Sequence, residues 1–248
     1  IERLSYFDDM AHIRRIVDDA DLATCQPERR RLHGTQYGCV CPVETPEGSR
    51  VGLQKGLSML SLVSFGTDPQ NIIDLIYKMG ILKLDELIPS ELNKQTKIFV
   101  NGNIIGVTNN PLLLVRILKL IRRNHLTEYF DILTSISFYK LENEIIINTD
   151  DGRFCRPLYI LENNEYLIQP KHIKNIKNDK YTWQDLLKPT DVLKEDKIVI
   201  ENMKLKNILY KENSDTYLNK LLETLENNKC VIEYLDSDEL HNALLSPN

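Results

Sequence analysis

Leu4, Phe7, Met10, Ala11, Arg14 and Val17 recur at helical spacing, which predicts an amphipathic helix over about residues 1–16. Asp18, Asp19 and Asp21 break that pattern into a polar loop. Residues 56–65 read as a short buried helix running into a strand. Asp68-Pro69 has the grammar of an N-cap followed by N1, ahead of Ile72, Ile73, Leu75, Ile76 and Met79, with Gly80 as the stop. Residues 97–100 and 104–107 flank Asn101-Gly102, a strong hairpin signal. Asn110-Pro111 opens a helix whose apolar series runs to Ile121, with Arg122 and Arg123 in the last turn, where positive charge suits the dipole. Strands are expected at 136–141, 144–148 and 154–161, with a turn at 150–152. Beyond these, a short helix at 181–187, a helix at 216–225, a strand at 230–235 and a helix at 237–245 complete the reading. The pattern is that of an α+β chain built from several small mixed modules, with no single large sheet and no internal repeat. Boundaries at Gly66-Thr67 and Asn163-Asn164 divide it into 1–65, 66–163 and 164–248. Lys and Asn content marks 188–207 as the most flexible stretch.

One region carries no periodicity. Between Arg30 and Leu53 the chain is punctuated by Gly34, Gly38, Gly48 and Gly52 and by Pro42 and Pro46, which rules out a long helix. Charged residues are threaded through it, so it reads as a rigid loop presenting Arg and Glu at set positions. Long irregular stretches inside a folded chain are more often functional than idle.

At 248 residues, 42% apolar and 27% charged, the chain has material for a sizeable core. Its longest apolar runs, Leu57 to Phe65 and Leu112 to Leu118, fall far short of the roughly 20 residues of a membrane span, and no membrane partner is expected. It opens Ile1-Glu2-Arg3 without a Met and closes on Ser246-Pro247-Asn248, so it reads as part of something longer. A net charge of −5 argues against a surface that binds nucleic acid everywhere. Before Lys55 every basic residue is an Arg, including the Arg29-Arg30-Arg31 triplet; after Arg156 there is only Lys. Arg suits bidentate phosphate and carboxylate contacts, whereas the Lys/Asn-rich tail also fits drift in an AT-rich genome. Five cysteines, odd in number and widely spread, fit a reducing intracellular compartment rather than a disulfide framework. Cys39 and Cys41 lack a second Cys or His pair for zinc, and Asp18 with Asp21 lacks the rest of an oxygen shell. No metal site is expected. His33 reads as a hydrogen-bonded structural residue, and a hydrolase at Cys39 or Cys41 would have no paired base.

The loop, Arg30-Arg31-Leu32-His33 through Cys41-Pro42-Val43-Glu44-Thr45-Pro46-Glu47-Gly48 to Gly52-Leu53, resembles a signature of the second-largest (beta-type) subunit of multisubunit DNA-dependent RNA polymerases, in which a Gly-Leu helix start follows. The likeness continues in order. It takes in Ile13-Arg14-Arg15, Gly56-Leu57-Ser58-Met59-Leu60-Ser61, Gly66-Thr67-Asp68-Pro69 and Phe99-Val100-Asn101-Gly102, then Arg156-Pro157-Leu158, Tyr181-Thr182-Trp183 and Glu233-Tyr234-Leu235-Asp236. It implies a fork region at 1–65 and external 1 and external 2 regions at 66–163 and 164–248. Residues 188–229 form an insertion without a counterpart. Gly34 and Gln36 also depart from the pattern, and the composition suggests a divergent lineage such as a large DNA virus.

The resemblance implies a transcription role: a central fragment of a DNA-directed RNA polymerase (a nucleotidyltransferase), inactive alone and with no catalytic residue of its own. Its partners would be the largest subunit, other polymerase subunits, template DNA and nascent RNA, in nucleus or cytoplasm. Magnesium would be held mainly by the largest subunit, with no cofactor bound here. Arg30, Glu47 and Ser49 would lie beside the active centre, with Glu47 facing the partner's mobile trigger loop. The alternative is that Glu47 caps a helix beginning near Val51. Asp18, Asp19, Asp21, Arg29 and Arg31 would belong to the fork loop and nucleic-acid side, where the carboxylates repel a strand. The alternative there is a solvated acidic loop. The rival for the whole chain is a stand-alone nucleic-acid-binding or protein-interaction module derived from such a subunit, distinguished by salt-dependent binding of the isolated chain to DNA or RNA.

Overall fold

The structure, a computed structural model, describes residues 3–21, 24–88, 95–126, 131–189, 208–210 and 216–245. It is α+β, with small sheets, and divides into two compact units. Unit 1 is residues 1–63 with Phe154–Arg156; unit 2 is residues 64–153 and 157–248.

Unit 1 begins with helix α1, Tyr6–Ile13, whose N-cap Ser5 accepts from the Asp8 amide. The predicted helix over 1–16 is therefore too long. Arg15–Val17 form strand β1, antiparallel to β2, Gln54–Gly56. Two causes end the helix. Ile16 and Val17 are β-branched and favour extended backbone. Arg14 turns its guanidinium across the chain, Nη2 donating to the carbonyls of Ser58 (2.7 Å) and Ser61 (3.0 Å). The buried helix expected at 56–65 is also absent, and Gly52-Leu53, where the resemblance implies a helix start, lies in a turn. The Leu57 amide donates to Arg14 O and the Ser58 amide to Cys39 O, so these donors are committed across the loop rather than four residues back. β3, Leu62–Val63, then pairs with the start of β9, Phe154–Tyr159, through Leu62↔Cys155 and Val63↔Phe154. Among the described residues of this unit the buried apolar side chains are Cys39, Val40, Leu53 and Cys155. Its order comes mainly from hydrogen bonds.

Unit 2 holds the main core. Helix α3, Gln70–Met79, starts where Asp68 Oδ1 accepts from the Gln70 amide and stops at Gly80, φ +96°. Strand β4 is Leu82–Lys83, and β5, Thr96–Val100, and β6, Asn103–Thr108, make the expected hairpin over Asn101 and Gly102, both at positive φ. Helix α4, Pro111–Arg123, leads to β7, Ser135–Tyr139, and β8, Glu144–Asn148. The resulting sheet runs β4-β6-β5-β8-β7, antiparallel except for β5 with β8. β10, Leu161–Glu162, and β11, Glu165–Tyr166, form a small hairpin, followed by α5, Pro170–Lys177; α6 is Thr216–Asn227, β12 Ile232–Asp236 and α7 Ser237–His241.

One cluster joins these pieces: Ile72 and Ile76 of α3, Ile117 and Ile121 of α4, Ile98, Ile145 and Ile147 of the sheet. Ile208, Leu209, Leu218, Leu221 and Leu225 complete it. Each such side chain contributes about 1.5–3 kcal/mol on burial. The described part of the 188–229 insertion is thus built into the core; most of the expected flexible stretch 188–207 lies outside the described residues.

A buried ionic cluster fastens α4 to β12 and α7. Arg122 Nη1 donates to Thr134 O (2.7 Å) and Glu239 Oε2 (2.6 Å), and its Nη2 reaches Glu239 Oε1 and Glu233 Oε2. Arg123 grips Glu233 with Nε (2.9 Å) and Nη2 (2.7 Å), and Lys119 Nζ lies 3.0 Å from Glu239. Burial alone would lower the Arg122 pKa, but Glu239 and Glu233 raise it above the ordinary arginine value. Burial likewise works to raise Glu233, yet Arg123, Arg122 and Lys119 hold its carboxyl down at about 2.

Candidate functional site

The glycine-proline loop of unit 1 folds back on the short helix α2, which in chain order precedes it. In this four-residue helix, Pro27–Arg30, Pro27 occupies the first turn, where its missing N–H costs nothing. Arg30 Nη1 donates to the carbonyls of Ser49 (2.6 Å) and Val51 (3.0 Å), tying the helix to the far end of the loop. Gly52 makes that approach possible. Its φ is +73°, and a Cβ there would sit 2.3 Å from Arg30 O and 2.8 Å from Arg30 Cα. The Gly52 amide in turn donates to Thr45 Oγ1 at 2.8 Å, closing the loop over the Glu-Thr-Pro-Glu-Gly segment.

Two further contacts fix the loop's flanks. A Cβ on Gly56 would fall 1.8 Å from Glu44 Oε2, so the Glu44 carboxylate lies directly over that glycine. Arg156 Nη1 donates to Tyr37 O at 3.2 Å while its guanidinium stacks 5.2 Å from the Tyr37 ring centroid. Gly38, φ +78°, leaves room for the Arg156 side chain. His33 has the structural role expected of it: Nδ1 lies 2.8 Å from Thr35 Oγ1 and accepts from the Thr35 amide.

Arg30 and Ser49 are brought together, through the Ser49 carbonyl rather than its hydroxyl. Glu47 is exposed at the N-cap position of a single 3₁₀ turn, Gly48–Arg50, and its side chain makes no capping bond. A helix beginning at Val51 for it to cap does not form; residues 51–53 are a turn leading into β2. Asp18 pairs with Arg29 (Oδ1 to Nη2, 2.9 Å), and its amide donates to Leu53 O at 2.8 Å. The acidic loop is therefore held to the arginine triplet and to the end of the glycine loop. Asp19, Asp21 and Arg31 are exposed. Among the described residues no three His, Cys, Asp or Glu side chains gather as a metal-binding group, and no disulfide joins any of the five cysteines. Burial pushes the Cys230 thiol up to about 12, with Glu233 adding to the shift, so it is no nucleophile.

Thr45, Glu44 and Arg156 were not legible as parts of this site. Thr45 and Glu44 lie within the signature itself, but their partners Gly52 and Gly56 are apparent only once the loop closes. Arg156 acts on Tyr37 from far along the chain.

Residues 1–63 match the family model described as RNA polymerase Rpb2, domain 3, and residues 98–162 match RNA polymerase Rpb2, domain 4. The DNA-directed RNA polymerase II subunit RPB2 of Encephalitozoon cuniculi is 33% identical over 188 residues, covering 75% of this chain and 16% of the relative. That of Schizosaccharomyces pombe is 37% identical over 193 residues, covering 73% and 15%. The DNA-directed RNA polymerase subunit Rpo2 of Sulfolobus acidocaldarius is 34% identical over 200 residues, covering 76% and 17%. The chain thus spans about a sixth of the length of these relatives. It belongs to the family of second-largest subunits of DNA-directed RNA polymerase, of which it is a fragment.

Proposed function

We propose that this chain serves DNA-templated RNA synthesis as part of a polymerase's second-largest subunit, with residues 1–65 as its fork region and 66–163 and 164–248 as external 1 and external 2 regions. The parent assembly joins ribonucleotides by metal-assisted phosphoryl transfer. The metal belongs to the largest subunit in this reading. The fragment supplies position rather than chemistry, and alone it is inactive.

The observation that carries the reading is the clamp of Arg30 on Ser49 O and Val51 O, which holds the turn after Glu47 while leaving the Glu47 carboxylate exposed. A carboxylate on a braced turn loses little entropy when it meets a moving element of a partner, here the largest subunit's trigger loop. Arg29 and Arg31 border the same loop and serve the nucleic-acid side, with Asp18 setting the Arg29 side chain; Asp19 and Asp21 face the downstream strand.

Glu47→Ala in the complete polymerase tests this. Assembly is retained and the elongation rate or misincorporation frequency changes by about threefold or more, on the order of 0.7 kcal/mol. Unchanged elongation and fidelity would remove Glu47 from the site.

A further inference from the structure

We propose that a cleft in unit 2 is a docking groove for an extended protein segment carrying a carboxylate between apolar or aromatic side chains. The cleft has a volume of about 490 Å³ and lies between α4, the stretch from Leu158 to Tyr166, and the β12–α7 segment. That volume suits a few side chains of a bound peptide.

Its walls differ in chemistry. One is ionic: Lys119 and Arg123, each about a quarter exposed, stand in front of the buried Arg122. The ion-paired cluster sets Lys119, Arg122 and Arg123 against Glu233 and Glu239, three positive charges to two negative. On the opposite lip Lys229 and Glu162 pair and leave no excess. Arg122 is enclosed, so the surplus charge is felt at Lys119 and Arg123, and one incoming carboxylate would balance it. The rim is apolar: Tyr159, Leu161, Tyr166 and Leu245 line the cleft and are all exposed. Aromatic and leucine side chains gathered round a charged floor form an interaction patch rather than a scatter of surface hydrophobics.

The charges select the occupant. A nucleic-acid strand brings a phosphate with every nucleotide and needs a continuous basic track. Here Glu162, Glu233 and Glu239 line the same cleft and would repel it. A peptide with one acidic residue matches the single surplus charge, and its apolar neighbours cover the rim. This inference is independent of the Glu47 reading, since it concerns unit 2 alone.

The test uses the whole 248-residue chain and a fluorescein-labelled, end-blocked peptide, Gly-Phe-Asp-Leu-Phe-Gly, titrated by fluorescence anisotropy at about 0.15 M salt. Binding is expected with Kd on the order of 10–100 µM. The same peptide with Asn for Asp should bind about tenfold more weakly. Lys119→Gln should weaken the acidic peptide about fivefold, and so should Leu161→Ser, an exposed rim change that leaves the buried core intact. If Lys119→Gln unfolds, Leu161→Ser decides. No binding up to about 1 mM, equal affinity for the Asn peptide, or an unaffected Leu161→Ser would each overturn the proposal. So would a single-stranded oligonucleotide that binds more tightly than the peptide and displaces it.

Discussion

Arg122 is 4% exposed and keeps its charge because two carboxylates and the Thr134 carbonyl replace the water it has lost. Such clusters are costly to break from one side: removing a partner leaves an uncompensated buried charge, at about 3–5 kcal/mol. Glu233 gives this a pH signature. Its carboxyl is held at about 2 against an ordinary 4.5, so between those values the unfolded chain binds the proton and the native one does not. Its stabilising contribution is complete above pH 4.5 and is lost as pH falls through about 2. Glu233→Gln should therefore be less stable at pH 7 and show a shallower loss of stability on acidification, read by urea unfolding at pH 7, 4 and 3. Parallel stability curves for the two proteins would contradict this. Sequence reading gave Arg122 and Arg123 to the helix dipole, a local role. Their carboxylate partners lie over a hundred residues away, a distance at which no local spacing signals a contact.

At the scale of elements, what was legible was local. The Asp68-Pro69 start, the Asn101-Gly102 turn and the Asn110-Pro111 start each depend on neighbouring residues, and each formed. β1 and β2 were missed because each is three residues long and exists only through pairing across nearly 40 positions. α5 was hidden by its Lys/Asn-rich sequence, although Gln169 and His172 form a capping box around its start. α6 matters most for the core, since it brings Leu218, Leu221 and Leu225 out of a segment without a counterpart in the resemblance. Leu221→Ala should cost about 2–5 kcal/mol in urea unfolding. Leu112→Ala, at an exposed position of α4, should stay within about 0.5 kcal/mol. Equal, small losses for both would mean that α6 is not part of the core.

For the whole molecule, the two units are stabilised differently. Unit 2 encloses a continuous apolar cluster, whereas unit 1 has few buried side chains and depends on a clamped loop. The glycines and prolines announced that loop in the sequence; the clamp itself, an arginine on two carbonyls past a glycine that admits no Cβ, joins residues 19 and 21 positions apart and leaves no local spacing signal. The central claim is that this clamp makes the turn after Glu47 rigid. Amide hydrogen exchange of the full chain, resolved by residue, tests it directly against Arg30→Ala. The Gly52 and Leu53 amides, bonded to Thr45 Oγ1 and Arg50 O, should be protected in the original chain. In the variant they should exchange at least about tenfold faster while α3 and α4 remain unchanged. Free exchange of both amides in the original chain, or equal protection without Arg30, would contradict the account.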